Sequence, residues 1–328
     1  MTASLIEEGL DAQVASGTPD EHARLQRMKQ RFAAHFDAIS AQLYERLPEA
    51  DRNRFVVWFV KRWGGIDRVT PDEFAWYASH VERIRSHAYP TRTLDGRPYK
   101  ALDLQPQGYR GELLTYPWML GIHDFLFDQY RHDDYGVEPG DTIIDAGAFV
   151  GDTALLFHQI TNGDCHIHAF EVLDENLELL AHNLDANKIA ECVTTCALAL
   201  SDVSGSHVHI KATAVQGATS IFGDADGKPV QTITLDDYVR QAGIERVDLI
   251  KMDIEGAERM ALRGALETIR RDRPRLAICI YHLWDDMIEI PQIIHSTGVP
   301  YRFGFKWVEL RNGWEAVLFA SVEDRPSE

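Results

Sequence analysis

The chain is predicted to be a doubly wound α/β domain preceded by an N-terminal helical subdomain, and three observations predict it. From Gly140 onward, short apolar runs alternate with amphipathic stretches, the pattern of a parallel sheet covered by helices. Thr142 to Asp145, a bend at Gly147 and a stretch carrying Leu155, Leu156 and Phe157 make one strand–turn–helix unit. Before residue 90, apolar residues recur instead at helical spacing behind two proline-containing capping boxes. Residues 1–108 are therefore taken as the helical region and linker, and 109–328 as the ligand-binding domain.

The 328 residues suffice for one large domain and a smaller one. A hydrophobic content of 45% is ordinary for a chain that buries a core. Fifty-one acids against 33 lysines and arginines give a net charge of −18, which argues against a phosphate-backbone partner, so no nucleic acid is expected. Met1 to Asp20 has no cationic segment followed by an apolar run, and no stretch approaches the length of a membrane span. No signal peptide and no membrane association are expected. Cys165, Cys192, Cys196 and Cys279 read as small buried hydrophobes in a reducing compartment, which predicts a cytoplasmic location. Cys192 and Cys196 lack the second ligand pair of a zinc site.

Residues 1–17 read as polar and frayed. Thr18-Pro19-Asp20-Glu21 starts a helix with Leu25, Met28, Phe32, Phe36, Ile39 and Leu43 on one face, ended by Pro48. A second helix spans about 50–63 and stops at Gly64-Gly65, and Thr70-Pro71-Asp72-Glu73 opens a third. These helices read as a packed subdomain; a substrate lid or a homo-oligomer surface is the alternative use. Residues 88–110, punctuated by Pro90, Gly96, Pro98, Pro106 and Gly108, read as a linker or wrapped loop. Leu113 to Tyr130 reads as a helix starting near Pro117. Strands are then expected at 142–145, 164–171, 192–200, 230–235, 247–252 and 275–281. A polar, glycine-rich stretch occupies 205–228. The end of the chain, 301–320, reads as an antiparallel pair turned at Asn312-Gly313.

The ligand is read from two strand ends. Gly147 permits the tight turn, and Gly151 lets the helix pack close to its strand. Glu171 ends the next strand, 24 positions after Gly147, where an acid can accept hydrogen bonds from a ribose diol. A dinucleotide wants G-x-G-x-x-G so that its pyrophosphate can approach. Here three bulkier residues, Phe149 among them, separate the glycines, and Asp145 precedes them. A carboxylate there would repel phosphate but suits a ligand bearing ammonium and sulfonium charges. The pattern fits S-adenosylmethionine better than NAD.

Taken together the motifs resemble the FkbM family of S-adenosylmethionine-dependent methyltransferases. The matching pieces are Asp141 to Ala148 with Gly151-Asp152-Thr153, Ala169-Phe170-Glu171 with Asn183, Ala199 to Asp202, Thr234 to Asp237, and Asp248 to Glu258. The resemblance covers about 109–320. It implies the seven-stranded class I methyltransferase sheet, a Rossmann-like fold with its last strand reversed. It also implies methylation of a hydroxyl on a sugar, glycan or polyketide-type small molecule. By motif, Asp145 and Gly147 would line the methionine half of the cofactor, with Phe149 and Gly151 in the same bend. Glu171 would hold the ribose, and Ser201 and Asp202 would sit beside adenine. Tyr281 to Asp286 departs from the acid-ended strand common in the family, so the base is not inherited.

Two strand tips beside the cofactor supply candidates for it. His282 titrates near neutrality and is taken as the base, with Asp253 as the second catalytic residue and also a member of the cofactor-binding set. Asp253 with Glu255 or Glu258 also offers the oxygen ligands that Mg²⁺ takes. His166 with His168, and His207 with His209, read as packing residues, and Lys251 as a buried partner for a charge. An NAD-linked oxidoreductase and a non-catalytic nucleoside-binding scaffold are the competing functions.

Overall fold

A computed structural model describes residues 4–119, 123–133, 135–212, 219–220 and 227–322. Its centre is a seven-stranded sheet made of β1 (Asp141–Ala146), β2 (Cys165–Phe170), β3 (Val193–Cys196), β4 (Leu249–Met252), β5 (Arg275–Cys279), β6 (Arg302–Trp307) and β7 (Ala316–Ser321). The strand order is β6-β7-β5-β4-β1-β2-β3, parallel from β3 to β5, with β7 antiparallel to both β5 and β6. Strands β4, β5 and β7 are buried along their whole length because helices or other structure cover both faces. The order of connection reverses between β1 and β4. Open sheets of this kind bind ligands at such a point, beyond the carboxyl ends of the strands.

The reversed end of the sheet is built by the β6–β7 connection. Glu309 is buried there, and its carboxylate accepts the N–H groups of Arg311, Asn312 and Trp314 at 2.9, 2.7 and 3.4 Å. Gly313 takes φ +80°, and its carbonyl accepts the indole N–H of Trp58 at 2.9 Å. Trp58 belongs to the helix Glu49–Gly64, which packs on β6 with Phe55 and Trp58 against Phe305. The anticipated hairpin is present, with a longer turn than Asn312-Gly313 alone.

Several local expectations are corrected. Residues 5–14 form a helix, Leu5–Val14, capped by Ser4 and Glu7 and burying Ile6, Leu10 and Val14. The long helix after Thr18 is two, Pro19–Phe32 and Phe36–Gln42. The 88–110 segment contains two strands, Thr91–Leu94 and Arg97–Asp103, which form an antiparallel meander with Glu112–Thr115. Leu113 and Leu114 pair with Leu102 and Ala101 instead of starting a helix. The side chain of Asn183 fixes this by accepting the Leu114 N–H and donating to the Leu114 carbonyl, at 2.8 and 2.9 Å. Of the anticipated 113–130 helix, the described residues form a 3-10 turn, Pro117–Met119, and a short helix, His123–Phe127; Leu120 and Ile122 lie outside the described residues. The third strand ends at Cys196. Ala199–Leu200 instead pairs with Lys228–Ile233, which also carries His207–Ala212, and 213–218 and 221–226 of the polar stretch lie outside the described residues. None of the described helices is long and apolar enough to cross a membrane.

Candidate active site

A cavity of about 600 Å³ opens at the carboxyl ends of β1, β2 and β4. Its floor is the bend after β1. The N–H groups of Gly147 and Ala148 both donate to the Phe170 carbonyl, at 3.0 and 2.9 Å, which ties the bend to the end of β2. Gly147 takes φ +82°, and a Cβ there would collide with the Asp253 carbonyl oxygen. A side chain at this position would separate the tips of β1 and β4. Gly151, at φ +86°, caps the helix Asp152–Ile160 and packs against Leu180 away from the cavity wall.

Glu171 lines the cavity where it was expected. Its Oε1 accepts the N–H groups of Val172 and Leu173 at 2.6 and 2.8 Å, and Oε2 accepts the Asn176 amide at 3.2 Å. Burial raises its carboxyl, and these donors oppose the rise. Three of roughly four acceptor positions are thus filled by protein, leaving the remainder for ligand hydroxyls. Ser201 also lines the wall, beside the apolar patch of Leu198, Leu200, Val208, Ile210 and Met260. Asp202, next along the chain, is exposed; it accepts from the Ser201 hydroxyl at 3.3 Å and does not reach the cavity. Phe149 stands on the wall at φ +47°, against Tyr116 and Trp118.

Asp145 requires a correction. It lies wholly buried beneath the bend, where it accepts the Thr153 hydroxyl at 2.5 Å and faces Lys251 Nζ at 3.0 Å. Lys251 also donates to the Gly147 and Ala146 carbonyls at 2.7 and 3.3 Å. Asp145 therefore shapes the bend from below. The acids that reach the cavity at this end are Asp152 and Asp124, neither anticipated as ligand residues. Burial pushes Asp152 up to about 7, opposed by Lys251 and aided by Asp145. Burial raises Asp124 well above the usual carboxylate range, and Asp152 adds to this.

The cavity wall also holds Gln129, Tyr130, Asp253, Glu255, Tyr281, Trp314 and Glu315. Asp253 accepts Tyr130 OH on Oδ2 at 2.9 Å and Tyr281 OH on Oδ1 at 3.0 Å. Burial works to raise its carboxyl, but the His282 charge, Lys251 and the two phenols together hold it below the usual range. Arg62, from the helical region, stacks over Trp314 at 4.4 Å and donates to the Tyr281 carbonyl at 2.9 Å.

His282 is the second correction. It lies behind the wall, 5% exposed, with Nδ1 3.0 Å from Glu258 and Nε2 3.4 and 3.7 Å from Asp253 and Glu255. Burial favours the neutral ring, but the carboxylates of Glu258, Asp253 and Glu255 overcome this and push it up to about 10. An imidazolium at neutral pH has no lone pair with which to take a proton. The Mg²⁺ reading changes as well. Among the described residues the convergent set is Asp253, Glu258 and His282, within 4.8 Å of one another, and Glu255 is not in it. One member is a ring nitrogen already serving as the cation, and Glu258 Oε1 already accepts the Ile254 N–H at 2.8 Å. That donor set does not suit an oxygen-seeking octahedral ion.

Of the first histidine pair, buried His168 bonds Tyr238 OH at 2.8 Å and exposed His166 bonds the Thr194 hydroxyl at 3.0 Å. All four cysteines are free.

The model of the FkbM methyltransferase domain family matches residues 145–312, just over half of the chain. The 31-O-demethyl-FK506 methyltransferase FkbM of Streptomyces tacrolimicus is 27% identical over 185 residues, covering 46% of this chain and 69% of that protein. The 2-O-methyltransferase NoeI of Sinorhizobium fredii (strain NBRC 101917 / NGR234) is 46% identical over 44 residues, 13% of this chain and 18% of that one. The crystal structure of an FkbM methyltransferase from Methylobacillus flagellatus KT superposes with a TM-score of 0.58 at 18% identity, covering 90% of this chain and 61% of that chain.

Proposed function

Because the chain belongs to the FkbM methyltransferase family, we propose that its cavity binds S-adenosylmethionine and directs the methyl group to a hydroxyl of a sugar, glycan or polyketide-type small molecule. The single observation that carries the reading is the pairing of the Gly147 bend with Glu171 on one cavity wall. Two relatives named for methylation at oxygen, one at a 31-O and one at a 2-O position, support hydroxyl oxygen as the acceptor.

In this reading Glu171 accepts from the ribose, and the apolar patch around Leu200 and Met260 takes the adenine. Asp124 and Asp152 face the ammonium end, where the carboxylates that burial discourages from ionising gain a counter-charge. When bound, S-adenosylmethionine supplies a methyl carbon on a good leaving group. The chain's own task is alignment, and positioning alone can lower such a barrier by about 7–11 kcal/mol. Asp253, clamped by Tyr130 and Tyr281 and kept ionised by His282, places a fixed negative charge at the tip of β4. His282 serves that charge as a positioning residue and takes no proton itself.

Calorimetric titration with S-adenosylmethionine, S-adenosylhomocysteine and NAD tests the cofactor. The first two should bind and NAD should not; binding of NAD alone would reinstate the oxidoreductase. Methyl transfer to a panel of methyl glycosides and macrolactone alcohols tests the acceptor. Tight cofactor binding with no transfer to any hydroxyl would favour the scaffold reading.

A further inference from the structure

Glu315 immediately precedes β7 and lines the cavity. It lies three residues beyond the segment matched by the family model, and it is not among the motif residues that carry the resemblance. Its backbone is left-handed, at φ +58°, as are two other wall residues, Phe149 at +47° and Glu255 at +56°. Non-glycine residues held there are strained, and such strain gathers at working sites. The carboxylate is held on one side only. Oε2 accepts the Gln129 amide at 2.6 Å and Tyr281 OH at 3.4 Å. Oε1 has no hydrogen-bond partner among the described residues. Asp253 differs: both of its oxygens are occupied by phenols, and His282 stands behind it.

We propose that Glu315 is the general base for the acceptor hydroxyl, receiving its proton on Oε1 while Gln129 and Tyr281 fix Oε2. The inference rests on the reading of this cavity as a methyl-transfer site. In the step, the hydroxyl proton passes to Oε1 as the acceptor oxygen bonds to the methyl carbon. The carbon–sulfur bond breaks with its electron pair staying on sulfur, and the proton then leaves to solvent. Tyr281 OH, shared between Asp253 and Glu315, places the base next to the tip of β4, where the two substrates would meet.

The electrostatics agree with this role. Burial and the Asp253 charge push the Glu315 carboxyl up to about 8, with Gln129 and His282 opposing and Glu309 adding. Those groups, with Tyr130, Tyr281 and Cys279, are the titratable neighbours around it, and Arg62 lies above the adjacent Trp314. A base of this strength is matched to neutral pH, and general-base catalysis contributes about 10²–10⁴-fold.

The test compares the wild type with Glu315→Gln and Glu315→Asp. S-adenosylhomocysteine production is followed from about pH 6 to 9.5 on methyl glycosides and trans-1,2-cyclohexanediol, beside calorimetric titration with S-adenosylmethionine. Wild-type kcat should rise with a midpoint near 8. Glu315→Gln should lose at least ~10²-fold in kcat and lose the pH rise, with cofactor affinity within roughly threefold of wild type. Glu315→Asp should restore part of the rate and the rise with pH, which a merely structural role would not do. A Glu315→Gln rate near wild type with the pH rise intact overturns the assignment and leaves the methyl-transfer reading standing. A wild type that fails to bind S-adenosylmethionine, or binds it and methylates no hydroxyl on the panel, overturns that reading and the base with it.

Discussion

Replacing Lys251 by methionine should destabilise the protein sharply, and the amount can be worked from its surroundings. The ammonium and the Asp145 carboxylate are 3.0 Å apart with side chains 2% and 0% exposed. Methionine keeps most of the stem volume, so the loss is electrostatic. Removing one member of a buried pair leaves the other charge without compensation, a cost of about 3–5 kcal/mol. With an unfolding entropy of about 2.1 cal/mol/K per residue over 328 residues, that corresponds to a Tm lower by about 4–7 °C if the chain unfolds as one unit. Pairing the change with Asp145→Asn removes the stranded charge. The carbonyls of Gly147 and Ala146 still lose their donor, at about 1 kcal/mol each, so the double variant should sit about 2 kcal/mol below wild type. Thermal and urea unfolding of the three proteins measure this. A single variant within 1 kcal/mol of wild type, or a double variant no better than the single, would refute the account of the ion pair as the support beneath the bend.

Three further outcomes are expected. Glu171→Gln should weaken S-adenosylmethionine about 10- to 100-fold by calorimetry, the worth of a hydrogen bond to a charged acceptor, and an unchanged affinity would remove Glu171 from the ribose site. Gly147→Ala should give little folded protein, since its Cβ meets the Asp253 carbonyl and φ is +82°; normal yield and Tm would show the bend can yield. Apo-protein stability should fall as pH rises from about 5 to 9. His282, raised to about 10, stabilises fully below its unfolded value near 6.5 and loses this contribution as pH climbs through 10. Asp286, Asp152 and Glu315, raised to about 6, 7 and 8, also favour the folded state when protonated. Melting curves that are flat or rising over that range would contradict the charge assignment.

The fold was legible where burial on both faces made strands read as apolar runs, as in β5 and, Lys251 apart, in β4. It was misread where a distant partner set the local structure. Leu113 and Leu114 carry an apolar pattern that suits a helix, yet Asn183, 69 residues away, takes both backbone groups of Leu114 and holds it extended. Nothing within the segment announces that amide. The first helix is a different case, because Ile6, Leu10 and Val14 stand four apart and their spacing was itself a signal.

The site was legible to the level of strand tips but not of side-chain direction. Neighbouring residues at a tip point to opposite faces, so Ser201 meets the cavity and Asp202 meets solvent. For Asp145 the pairing register decides: it stands opposite Lys251 on the adjacent parallel strand, and two buried side chains of opposite charge in that relation will claim each other. The same logic disposes of His282 as a base. Its residue type suggests a proton acceptor, but β4 and β5 are neighbours, so a histidine just past β5 lies against the segment leaving β4. That segment carries Asp253, Glu255 and Glu258, and three carboxylates within 3.7 Å of one ring settle its charge before any substrate arrives. The proton-accepting role then passes to a carboxylate that burial keeps from ionising early and that retains a free oxygen, a description Glu315 meets and Asp253 does not.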